Sequence, residues 1–146
     1  MKLADKVVYD LNNKLSGIIE TTYGLARIGD YEGERFPMVF SSGKNYTPIF
    51  PENSRSWSFW ILDDMVLGDP NTYYLSLYVW ADYGITYASD TPMNLISEVT
   101  DALGDIEDIS VETENVFVDF PAIEKRYTWA TCTAFKLSLV TYFDNC

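Results

Sequence analysis

The stretch TYYLSLYVWADYG, residues 72–84, decides how this chain is read. Side chains alternate across a β-strand, so Tyr73, Leu75, Leu77, Val79 and Ala81 share one face, and Tyr74, Ser76, Tyr78 and Trp80 share the other. The first face is core. The second lacks the Lys, Glu and Thr that a small sheet normally turns to water. Something has to cover it, and the identity of that cover determines whether the chain works alone.

Just upstream, WSFWIL at residues 57–62 repeats the two-faced pattern, with Trp57, Phe59 and Ile61 alternating against Ser58, Trp60 and Leu62. Asp69-Pro70-Asn71 supplies a turn, so the two segments read as an antiparallel hairpin. The segments FPMVF and YTPIF before it contain Pro37 and Pro48, which lack a ladder donor and belong at an edge or in a loop.

Leu3, Val7, Leu11, Leu15 and Ile18 recur at helical spacing, with Val8 and Ile19 widening the stripe. This predicts an amphipathic helix ending after Thr21-Thr22 and before Gly24, followed by turns or a short edge strand in YGLARIGDYEG. Asp90 or Thr91 caps a second helix that has Pro92 in its first turn, Leu95, Ile96, Val99 and Leu103 on one side, and Gly104 as its stop. The strands DISVET and NVFVDF follow. The closing segment RYTWATCTAFKLSLVTYF alternates for longer than a typical strand, implying a bulge near Thr131 to Thr133 or an extension beyond the domain body. The expected class is α+β, an antiparallel sheet with both helices on one face, in a single domain spanning residues 1–146.

Acidic residues outnumber basic ones 22 to 10, giving a formal charge of −12. Such a chain cannot neutralise many phosphates, which argues against ordinary nucleic-acid binding and against anionic lipid. Aromatic residues make up 16% of the chain, more than one small core normally absorbs, which directs attention to contact surface. With two cysteines, no signal-peptide pattern and no apolar run long enough for a membrane span, a reducing compartment is expected.

Histidine is absent, which removes Ser-His-Asp and Cys-His nucleophile systems and the commonest transition-metal ligand. Cys132 reads as a small core residue, and neither a phosphate loop nor a dinucleotide fingerprint occurs. Asp63-Asp64 and the group Asp101, Asp105, Glu107 and Asp108 are the remaining carboxylate clusters. In a chain with 22 acids they read as solvated turns before they read as a glycosidase pair or a calcium loop. Arg126-Tyr127 after Lys125 is too small a basic cluster for nucleic acid, and Arg55 reads as a surface arginine. No catalytic residue, cofactor or metal site is expected.

The order of elements resembles the tail-terminator and neck proteins of tailed bacteriophages. The resemblance lies in residues 3–19, in the strand of residues 73–80 with the following Ala81-Asp82-Tyr83, in the helix of residues 93–103 and in the long strand of residues 128–143. It is one of architecture without a diagnostic motif, and the segment RFPMVFSSGKNYTPIFPENSRSWSFW is more elaborate than a simple hairpin. The resemblance implies a non-enzymatic virion protein, made in the host cytoplasm, that forms a homo-oligomeric ring at the head-tail junction. Such a ring meets other neck and tail proteins, and DNA passes through its lumen without specific binding. Trp60, Tyr74, Tyr78 and Trp80 are then the expected interface residues. Alternatives are an acidic inhibitor that mimics DNA and a carbohydrate-binding protein, or aromatic faces covered from within by the helices or a folded-over loop.

Overall fold

The computed structural model describes residues 3–42, 45–49, 56–68, 70–81, 92–104, 109–114 and 131–141. The expected cap at Asp90 or Thr91, the strand NVFVDF, Arg55, the cluster at Lys125 and Arg126, Asp105 to Asp108, Cys146 and the outer parts of the closing strand lie outside the described residues. In chain order the elements are α1 (Leu3–Leu15), β1 (Thr21–Tyr31), β2 (Glu34–Ser42), β3 (Asn45–Pro48), β4 (Ser56–Val66), β5 (Asn71–Ala81), α2 (Pro92–Gly104), β6 (Ile109–Glu114) and β7 (Thr131–Thr141). The class is α+β. Among the described residues the seven strands join one sheet in the order β3-β2-β1-β4-β5-β7-β6. Each pairing is antiparallel except β1 with β4, which is parallel and makes the sheet mixed.

Both helices cover one face, as the periodicity predicts. Val8, Leu11, Leu15 and Ile19 from the first helical segment meet Val99 and Leu103 of α2 over Tyr73, Leu75, Leu77, Val79, Phe135, Leu137 and Leu139. The first helix is shorter than its stripe suggests. It ends at Leu15, whose carbonyl accepts the N–H groups of both Ile18 and Ile19 at 2.9 Å. Ile19 remains buried, but the β-branched Thr21-Thr22 opens β1 instead of closing the helix. The segment read as turns or a short edge strand is therefore a full strand with neighbours on both sides.

β1 serves two partners in succession. Thr21, Thr22 and Leu25 pair with Trp57, Ser58 and Trp60 of β4, with an irregularity between Thr22 and Leu25. From Ala26 to Tyr31 the described pairing is with β2, across a turn in which Glu32 and Gly33 have φ of 53° and 82°. Positive φ at both central residues is the two-residue hairpin turn whose twist matches that of the flanking strands. The sheet bends at the irregularity, so β1, β2 and β3 fold back over the second face. Pro48 lies on the edge strand β3, as its missing donor requires, whereas Pro37, also expected at an edge or in a loop, lies in β2 between β1 and β3, opposite Ile28.

The β4–β5 hairpin contains the decisive irregularity. Near its turn Val66, Met65 and Asp64 face Thr72, Tyr73 and Tyr74, and that register, continued, would set Trp60 opposite Tyr78. A shift between Leu62 and Asp64 adds one residue to β4, so Trp60 instead faces Leu77, and Phe59 faces Tyr78. By contrast, β7 runs in unbroken register with β5 from Thr131↔Ala81 to Thr141↔Asn71. The bulge expected near Thr131 to Thr133 is absent from that pairing, and the irregularity belongs to β4.

Deleting Asp63, an exposed residue left out of the ladder, makes Leu62↔Leu75 and Asp64↔Tyr74 consecutive pairs with every side chain of residues 56–62 on its native face, and is expected to retain the cooperative unfolding transition and the near-ultraviolet circular dichroism. Asp63→Ser, which keeps the residue count, should also retain both. Glu32 occupies a left-handed conformation that asparagine adopts more readily, so Glu32→Asn is expected to raise stability by roughly 0.5–1 kcal/mol in urea titrations.

Candidate assembly surface

The second face of the sheet divides into a closed half and an open half. In the closed half Trp57 and Phe59 of β4 lie beside Trp80 and Tyr78 of β5. The indoles of Trp57 and Trp80 stack with centroids 6.1 Å apart and planes 8° from parallel, and Phe59 stacks on Tyr78 at 5.2 Å. Ala26, Phe36 and Ile49 complete this second core, with Tyr23, Ile28, Tyr31 and Val39 packed around it. Tyr31 and Phe36, facing strands of the hairpin, add a tilted ring pair at 5.6 Å. The outer surface of this cover carries Arg27 over the ring of Tyr46 at 4.2 Å, a cation–π contact on the exposed side.

Two of the four aromatic residues expected at a subunit boundary are thus internal. Trp60 is fully buried on the helix face, and its Nε1–H donates to Oδ1 of Asn12 at 2.7 Å. The Asn12 amide in turn donates to the Tyr23 carbonyl at 3.0 Å, tying α1 to both strands. Trp80 is 3% exposed in the closed half, where its Nε1–H has no hydrogen-bond partner. The bulge in β4 moves Trp60 to the helix side, and the bend in β1 covers Trp80. Neither is free for a neighbour.

Tyr78 sits at the border of the two halves, partly buried. Its phenol pKa is raised above the usual 10.0, first by burial and then by the neighbouring Asp63 carboxylate and Cys132 thiol, with Lys136 and the Ser76 hydroxyl opposing the shift. Ser76, buried, donates its hydroxyl to the carboxylate of Asp63, so the extra residue of the bulge supplies the acceptor for a hydroxyl beneath it.

Beyond this border the cover stops. Tyr74 is 41% exposed and lies in register between Asp64 and Ser138, while the next row is Val66, Thr72 and Val140. Val66 is more than half exposed, and Met65 and Leu67 stand out beside it. Sequence reasoning reached Tyr74 but passed over Met65, Val66 and Leu67. A signal was present, because DDMVLGDP places an apolar triplet at a turn where polar residues are the rule. Among the described residues no group of three or more His, Cys, Asp or Glu is placed to hold a metal, and no helix is long and apolar enough to cross a membrane.

The two buried indoles should respond differently to the same substitution. Trp60→Phe leaves the Asn12 oxygen without its donor, whereas Trp80→Phe removes a donor that has no partner. Trp60→Phe is therefore expected to be the more destabilising by about 1–2 kcal/mol in denaturant titration. No protein-family model matches this chain, and no curated protein matches it either.

Proposed function

We propose that this chain is a structural virion protein that assembles with copies of itself into a ring at the head-tail junction of a tailed bacteriophage. As a tail-terminator-like or neck component, it joins the portal side of the capsid to the tail and lines the passage for DNA. The observation that carries this reading is the open half of the second face. An aromatic side chain, Tyr74, is 41% exposed beside Val66 at 53%, with Met65 and Leu67 exposed next to them, so four large apolar residues gather outside the two cores at this end of the β4–β5 hairpin. Aromatic anchors surrounded by smaller apolar and hydroxyl side chains are the usual centre of a protein interface. Burying such a patch contributes favourably at about 25 cal/mol per Å² before the costs of association.

Two further features support it. The exposed patch lies to one side of the sheet, and a patch that meets a different surface of the next copy generates a ring when the rotation closes. The formal charge of −12 suits a lumen through which DNA slides without sticking. The interface residues of this proposal are Tyr74 and Tyr78 with Val66, while Trp60 and Trp80 support them from inside.

Native mass spectrometry of the purified chain is expected to show a discrete cyclic oligomer. Tyr74→Asp should weaken that assembly by at least roughly tenfold in concentration while leaving the thermal unfolding of the subunit nearly unchanged, as for an exposed interface residue. A chain that stays monomeric at high concentration and does not enter virions overturns the proposal.

A further inference from the structure

Among the described residues no strand pairs with the outer edge of β4 over residues 61–66. β1 pairs with β4 only as far as Leu25↔Trp60, and from Ala26 onward its described partner is β2. On the other side β4 stays paired with β5 up to Val66. One margin of a long internal strand therefore has no partner among the described strands, which differs from the natural sheet ends at β3 and β6. An open margin of this kind presents main-chain N–H and C=O groups in the spacing that a further strand requires.

Local chemistry at this margin is distinctive. The Met65 N–H donates to Oδ1 of Asp64, its own neighbour, at 2.8 Å. A side-chain carboxylate thus occupies the position that an added strand's carbonyl would take. Asp63 and Asp64 are both exposed, and Met65, Val66 and Leu67 are exposed next to them. A second copy of the chain is a poor occupant, because pairing two of these margins brings four exposed carboxylates together in a protein already at −12.

We infer that the free margin of β4 at residues 61–66 is a strand-addition site for an extended segment of another protein in which apolar and basic residues alternate. The incoming carbonyl accepts the Met65 N–H and displaces the Asp64 carboxylate. Released from that bond, Asp64 joins Asp63 in pairing with the basic side chains of the segment on the face of Tyr74 and Val66, while the apolar side chains, on the opposite face, cover Met65. The edge site and the Tyr74 face adjoin at Asp64 and Val66, but added-strand pairing uses the main chain of residues 61–66 and does not require ring assembly through Tyr74.

The test uses the full chain and a short end-blocked peptide of alternating valine and lysine, with the valine and glutamate peptide as its control. Saturating lysine peptide is expected to slow amide hydrogen exchange at residues 62–67 by at least roughly tenfold, and the glutamate peptide to leave it unchanged. The double variant Asp63→Asn, Asp64→Asn keeps an oxygen acceptor at both positions. It should weaken binding by about fivefold or more at low salt and lose most of the salt dependence. Unchanged exchange with the lysine peptide, or equal protection by both peptides, overturns the inference. So does protection of the same amides that grows with protein concentration in the absence of peptide, which would make a second copy the occupant. The wild-type measurements stand whether or not the variant folds.

Discussion

Leaving one residue of β4 out of the ladder determines which tryptophan faces which layer. Between Leu62 and Asp64 the register with β5 slips by one, and Trp60 passes from the side of Tyr78 to the side of Leu77. Below the slip, Trp57 and Phe59 are left on the face away from the helices, and a second core has to exist to receive them. The bend in β1, the tight turn at Glu32-Gly33 and the short edge strand β3 all serve that need. Each fully buried large side chain contributes about 1.5–3 kcal/mol relative to exposure, so an uncovered pair of tryptophans would weigh heavily against a domain of marginal stability.

The same slip shapes the surface. A bulge leaves a residue out of the ladder, and here that residue is Asp63, whose carboxylate turns back to accept the Ser76 hydroxyl. Two acids then stand at the point where the cover ends and the exposed row of Tyr74 and Val66 begins. Fold and candidate surface therefore meet at one place. Covering the aromatics of the closed half requires β1 to leave β4, and that departure leaves the margin of residues 61–66 without a partner among the described strands.

Much of the fold was legible because it rests on local periodicity. Both helices, the β4–β5 hairpin and the split faces of residues 73–81 follow from spacing alone, and Gly104 ends α2 as expected. The errors arise where a single residue changes parity. Alternation places Trp60 opposite Trp57 within β4, but only the cross-strand register says which of those faces joins Trp80, and a bulge leaves no periodic trace. The parallel pairing of β1 with β4 was equally hidden, since Thr21 meets Trp57 across a long intervening meander and no turn residue specifies the match. At the surface, Tyr74 was legible as one of an aromatic set. Its difference from Trp80 depends on how far the folded-back strands reach, a tertiary fact.

The position of β7 has a kinetic consequence. Among the described strands it is the last to be synthesised, yet it lies between β5 and β6 and pairs with β5 along its whole length. Asn71 meets Thr141, so the contacts that complete the helix-side core join distant parts of the chain. On a ribosome, β4 and β5 can close as a local hairpin, but β5 must wait with one edge unpaired until β7 emerges. During that interval the nascent sheet is most open to wrong partners, and the acidic excess of the chain keeps neighbouring copies apart while it lasts.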